Sequence, residues 1–201
     1  MALAGVLVIS GCGGTGSGPG GPVSKIPTIA IDYDAELRDA IMQQRAKLED
    51  FDIDGGAALV CEKYRDAYRT KYEAQLPSMA SVATREQAAD PAYMAALPGV
   101  LKERYPNTYS DEIKAVVDAA GRQDPAAYRT AAMRLMGRVF QVKKQSVDNL
   151  VNSGGSQPHS ATADVTTTTQ WDGQPEQTVM VHKTFETQDG SAWLDCTDPA
   201  G

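Results

Sequence analysis

Histidine, cysteine and long apolar runs are scarce in this chain, and each scarcity removes a class of chemistry. Two histidines, His159 and His182, leave little material for imidazole-based acid–base work. The three cysteines, Cys12, Cys61 and Cys196, stand far apart, so no two have the spacing of a zinc motif and neither a metal nor a cofactor is expected. The apolar stretch at residues 2–11 is too short to cross a bilayer, which takes about 20 residues. Basic side chains are outnumbered, 19 against 26 acidic, and the formal charge of −7 repels nucleic-acid phosphates and anionic head groups. Nucleic acid is therefore not expected as a partner. The Gly-rich stretch at 13–27 has neither the Gly-Lys-Ser/Thr ending nor the preceding strand of a phosphate-binding loop.

What is present at the start of the chain is an address. Residues 2–11 are apolar and end in small side chains, as an export leader does before its processing site. The tetrad Ile9-Ser10-Gly11-Cys12 resembles the lipobox of bacterial lipoproteins. That resemblance implies a signal peptide over 1–11, a lipid on Cys12 and a protein held on the extracytoplasmic face of the cell membrane. Met1-Ala2-Leu3-Ala4 lacks the Lys or Arg with which such leaders begin. The other reading of 2–12, a buried strand, sits poorly beside the neighbouring segment. Residues 12–27, rich in Gly and Pro, cannot offset their ordering entropy by burial and read as a flexible tether with a span of roughly 20 Å.

Residues 28–201 read as one α+β domain, helices first and strands last. Leu37, Ile41, Leu48 and Phe51 recur at helical spacing over 34–50, behind the acidic cluster Asp32, Asp34 and Glu36. After Asp54-Gly55-Gly56, the stripe Val60, Cys61, Tyr64, Tyr68, Tyr72 and Leu76 predicts a second helix over 57–75, stopped by Pro77. Its other face mixes both signs of charge, so the tyrosines read as core packing rather than as a nucleic-acid platform. Thr84 with Gln87 forms a capping box, and Asp90-Pro91 and Asp124-Pro125 each open a helix. The last helix carries Tyr128, Ala132, Leu135, Met136, Val139 and Phe140 on one face. Residues 142–151 fit neither period well and lean to a strand.

From Ala163 the period becomes two: Ala163, Val165, Thr167, Thr169 and Trp171 share one side of a strand. Asp172-Gly173 turns the chain into a second strand with Val179, Val181 and Phe185 inward, and Asp189-Gly190 signals a tight hairpin to a third strand over 191–196. This tail, from Ala161 to Cys196, together with the helix leading into Asp52-Ile53-Asp54 and Ala57–Cys61, is similar to NTF2-like domains of exported actinobacterial lipoproteins. The resemblance implies helices packed on a C-terminal antiparallel sheet, an NTF2-like or cystatin-like roll. Residues 76–124 hold more helix than that family has, and no functional residue carries over.

A pocket in such a roll would be lined from the inner sheet face by Val165, Thr167, Val179, Val181, Lys183 and Phe185, a set with no carboxylate and no histidine. Lys183 is its only ionisable group. His159 reads as a solvated loop residue and His182 as a surface residue on the outer sheet face. These residues point to a non-catalytic binding or scaffold module of the cell envelope, taking a small apolar ligand or an envelope protein as partner. The alternatives are an inconspicuous hydrolase or isomerase working at the pocket mouth, and a lipoprotein devoted to protein interaction. A two-residue turn at Asp189-Gly190 would place Lys183 opposite Cys196 and aim Cys196 inward, toward Cys61 on the second helix. A Cys61–Cys196 disulfide is expected in an oxidising compartment.

Overall fold

The computed structural model describes residues 32–154, 159–188 and 192–199. The expected leader, Cys12, the expected tether and the Asp189-Gly190 of the expected hairpin lie outside the described residues. Asp32–Gly201 make one compact unit. Its described residues run through eight α-helices and then four strands, the α+β order expected from the change of period.

Helix α1 (Tyr33–Glu49) is capped by Asp32, whose carboxylate accepts the Ala35 N–H. It ends by a device used twice. Phe51 takes the left-handed conformation (φ 53°), its N–H reaching the Leu48 carbonyl while the Asp52 N–H reaches Lys47. This is a Schellman termination with Phe where Gly is usual, and Asp52 then caps α2 (Ile53–Ala58). Gln123 (φ 52°) and Asp124 repeat it between α7 (Ser110–Gly121) and α8 (Pro125–Val139). The left-handed strain at Phe51 is held by packing: the ring is buried and lies edge-on to Tyr72, Phe140 and Trp171 at 6.2–6.4 Å between centroids.

The single helix expected over 57–75 does not form. Gly55 and Gly56 sit inside α2 rather than before it, and the chain opens at Leu59–Cys61 before a 3-10 turn (Glu62–Tyr64) and α3 (Arg65–Glu73). The cause is tertiary. Val60 bridges Asp195 in parallel, the Cys61 N–H bonding the Asp195 carbonyl at 2.9 Å and the Asp195 N–H bonding Leu59 at 3.0 Å. Those bonds replace the helical ones that 59–61 would make. Past α3 come the short α4 (Met79–Val82) and α5 (Arg85–Ala88), the latter carrying the Thr84–Gln87 capping box. Helix α6 (Pro91–Arg104) and α8 start at their Asp-Pro caps as read from the sequence.

Helix α8 passes without a loop into β1 (Phe140–Asn152), so 142–151 is strand. With β2 (Ser160–Trp171), β3 (Gln177–Gln188) and β4 (Ala192–Asp195) it makes a curled antiparallel sheet in the order β1-β2-β3-β4. Two irregularities in the β1–β2 register, after Val142 and after Asp148, bend the strand. Two cores result. Leu37 and Ile41 of α1 fill the concave face against Ala161, Ala163, Val165, Phe185 and Trp193. A larger core joins α4, α6, α7 and α8 to Phe51, Ile53 and the start of β1.

The β3–β4 register differs from the expected one by a residue. Gln188 pairs with Ala192 and Phe185 with Asp195, so the paired ends stand one residue further apart along the chain than a two-residue hairpin would put them. A slip of one reverses every side chain of a strand. Cys196 therefore lies beside Thr184, bonding its carbonyl at 2.7 Å, on the face opposite Phe185, and Asp195 turns inward in its place. The disulfide is present nonetheless, with Cys61 and Cys196 Cα atoms 5.0 Å apart, because the Val60–Asp195 bridge brings the adjoining residues side by side.

Candidate functional site

Between the two cores, where α1 and α3 lift away from the concave face of the sheet, lies a cleft of about 290 Å³. Its floor is Phe140 and Gln145 of β1, Val165, Thr167, Thr169 and Trp171 of β2, and Val179 and Val181 of β3. Its roof is Gln44, Arg45 and Leu48 of α1 with Tyr68, Tyr72 and Gln75 from α3 and its end. Lys183 and Asp195 close one end. Of the residues expected to line a pocket, Val165, Thr167, Val179, Val181 and Lys183 do so. Phe185 does not: it lies further along β3, fully buried in the core against α1.

The aromatic wall comes from the tyrosine stripe. Tyr68 and Tyr72 lie side by side four residues apart on α3, ring centroids 4.5 Å apart, and burial pushes both phenols above their ordinary value. Phe140 and Trp171 continue the wall at 4.8 Å from each other. Gly56 makes the roof possible, because a Cβ there would stand 2.3 Å from the Tyr68 Oη.

The inner face does hold a carboxylate, contrary to expectation. Asp195, brought inward by the register, accepts from Lys183 Nζ at 2.6 Å through Oδ2 and from the Thr197 N–H at 2.9 Å through Oδ1. Lys183 also donates to Gln44 Oε1 at 2.9 Å, and Gln44 in turn donates to the Leu59 carbonyl. At the other side Arg45 is held by Glu49 at 2.8 Å and donates to the Val142 carbonyl. Each charge facing the cleft is thus matched within the chain. Gln145 donates to Thr167 Oγ1 at 3.4 Å, while its own amide oxygen is buried without a partner.

Arg45, Gln44 and Gln145 were not legible as cleft residues in the sequence. One signal existed: the apolar stripe of α1, Leu37 and Ile41, turns polar at Gln44 and Arg45 before Leu48 restores it, which marks where the helix leaves the sheet. Asp195 carried no such signal.

The histidines stay outside the cleft. His159 is exposed; its backbone N–H bonds Ser153 Oγ and its carbonyl accepts from Thr187. His182 lies on the convex face, where Nδ1 meets Asp164 Oδ1 at 2.7 Å and Asn149, itself left-handed at φ 48°, donates to the other Asp164 oxygen at 2.7 Å. The Asn149 amide and then His182 hold the Asp164 carboxyl below its usual range. Cys61, Glu186 and Cys196 come within reach of a common metal ion, but both sulfurs are spent in the disulfide, leaving a single carboxylate as ligand. No helix among the described residues is long and apolar enough to cross a membrane. Comparison with known proteins finds no matching family model, no matching curated protein and no matching solved structure.

Proposed function

We propose that this protein is a lipoprotein anchored through Cys12 to the extracytoplasmic face of the cell membrane, whose domain binds a small, largely apolar ligand in the cleft without transforming it. The observation that carries the binding reading is the cleft itself. Its walls are aromatic and aliphatic, and its charged groups, Arg45 with Glu49 and Lys183 with Asp195, are already neutralised by their neighbours. Charges so matched leave the apolar walls as the main surface offered to a ligand. The lipobox, the tether and a disulfide suited to an oxidising compartment support the address. The curl of the sheet around α1 supports the likeness to an NTF2-like roll.

The test is native mass spectrometry of the exported protein, which reports lipid mass, disulfide state and retained ligand together, followed by titration with apolar fluorescent probes. Retention of a small molecule, lost in Val165→Trp where the cleft is filled, is the expected result. An empty cleft that no apolar probe enters would overturn the binding reading.

One observation favours the second reading, an enzyme. Lys183 and Asp195 are two ionisable groups meeting at the end of a cleft, the arrangement a hydrolase or isomerase would use. Turnover of a bound compound that disappears in Asp195→Asn, with the fold intact, would move the assignment to that class.

A further inference from the structure

Three residues lining the cleft leave hydrogen-bonding capacity unused. Gln145 sits mid-floor on β1, opposite Thr167 of β2, which is opposite Val179 of β3. Its amide nitrogen makes one bond, to Thr167 Oγ1 at 3.4 Å, long for such a contact, and its amide oxygen is buried with no partner. A buried acceptor left unmet costs more than an ordinary bond returns, so a donor brought to it gains the difference. In the roof, neither the Tyr68 nor the Tyr72 hydroxyl finds a hydrogen-bond partner among the described residues. Burial keeps both phenols protonated and so able to donate.

Charge, shape and size narrow what fits. Arg45 and Lys183 are engaged by Glu49 and Asp195, so an anion or a cation would give up its hydration and meet no free counter-charge. Val165, Val179 and Val181 beside Gln145 would leave most hydroxyls of a sugar unmatched. The rings stand on two sides, Tyr68 with Tyr72 in the roof and Phe140 with Trp171 in the floor, and Phe51 behind them is edge-on to Tyr72, Phe140 and Trp171. A flat ring between such sides is in contact on both faces. A volume of about 290 Å³ equals roughly ten waters at about 30 Å³ each, or one molecule of roughly ten to fifteen non-hydrogen atoms.

On the binding reading proposed above, we infer that the ligand of this cleft is an uncharged aromatic alcohol or phenol, and that Gln145 selects it by accepting a hydrogen bond from its hydroxyl. The ring lies between the tyrosines and the Phe140–Trp171 side, over the valines. A hydroxyl serves both unmet needs, since it donates to Gln145 Oε1 and offers its own oxygen to a tyrosine hydroxyl. The terminal torsion of a glutamine is soft, so the Gln145 amide turns its oxygen to the ligand and gives up only the long bond to Thr167.

Calorimetric titration of the full chain with three probes of closely matched size tests this: phenylphenol, its methyl ether methoxybiphenyl, and biphenyl carboxylate. Phenylphenol should bind roughly tenfold more tightly, or better, than either of the others, because the ether cannot donate and the carboxylate brings an unmatched charge. Gln145→Leu, checked for an unchanged or raised melting temperature, should still bind methoxybiphenyl and should bring the two neutral probes to within about threefold of each other. If the variant does not fold, the ranking of the three probes on the unmodified chain decides by itself. Equal affinity for the two neutral probes, both excluded by Val165→Trp, would leave the cleft a binding site and overturn the hydroxyl assignment. Tightest binding of the carboxylate, or a preference for phenylphenol that survives Gln145→Leu, would overturn it too. Binding of none of the three would defeat the binding reading itself and this assignment with it.

Discussion

Lys183 Nζ lies 2.6 Å from Asp195 Oδ2 across the β3–β4 boundary, and the two side chains retain only 24% and 10% of their exposure. A pair so placed adds little net stability, since desolvation offsets attraction, but breaking it strands the survivor. Lys183→Met should destabilise the domain by about 3 kcal/mol, the low end for a buried pair because the lysine keeps some solvent contact. Lys183→Met combined with Asp195→Leu should recover most of that loss. Urea unfolding of the single and double variants checks it, and additive losses would show that the pair is not coupled.

The disulfide ties residue 61 to residue 196, a separation of 135 residues, and it fastens the Val60–Asp195 bridge that splits α2 from α3. Reduction, or Cys61→Ser with Cys196→Ser, should lower stability by about 2–4 kcal/mol, below the chain-entropy limit of about 5. Thiol labelling of the native, unreduced domain should modify neither residue. Ready labelling would contradict the bridge.

Four carboxyls are held below their ordinary range: Asp52 chiefly by the Lys47 ammonium and then the Gly55 N–H, Asp54 chiefly by Arg129, Glu86 by its own backbone N–H and then Thr84, and Asp164 by Asn149 and His182. A group whose folded pKa is depressed contributes fully above its unfolded value and loses that contribution as pH falls through the folded one. The melting temperature should therefore be flat from pH 7 to 5 and fall below about pH 4. Asp52→Asn, which keeps a capping oxygen for α2 but no charge, should make that fall shallower in a thermal scan. An identical acid slope in the variant would place the dependence elsewhere.

Gly137 in α8 is a position where helix propensity misleads. Alanine in a helix interior is ordinarily better than glycine by about 1 kcal/mol. Here its Cβ would stand 2.9 Å from the Asp50 carbonyl oxygen at the end of α1, a backbone atom with no freedom to move aside. Gly137→Ala should lose about 1–3 kcal/mol by forcing the two helices apart. A gain in melting temperature would show that α8 can shift.

The proposed anchor is tested apart from the domain. Cys12→Ala should release the protein from the membrane fraction of its host while leaving the melting curve unchanged. Continued sedimentation with membranes would exclude the lipid on Cys12 as the attachment.

Local signals carried much of the fold. Asp-Pro at 90–91 and 124–125 and Thr84 with Gln87 are short-range devices, each complete within four residues, and all three cap helices as read. The two-residue period of β2 likewise needs nothing beyond the strand itself. The readings that failed depended on a distant partner. The helix across 57–75 breaks because Asp195 claims the backbone at Leu59–Cys61, and no helical propensity in that segment reports on residue 195.

What the sequence determined by itself is the order of elements, the inward stripe of Leu37 and Ile41, the valine face that became the cleft floor and the choice of Cys61 and Cys196 as partners. These come from periodicity and counting, which are properties of neighbours along the chain. What only the tertiary structure decided is which face each end of a strand presents. A β3–β4 register one residue away from the expected one turned Cys196 away from the core and Asp195 into the cleft, because side chains on a strand alternate and a register slip of one inverts them all. The shortness of β4 likewise left Gln177–Lys183 of β3 paired with β2 alone among the described residues.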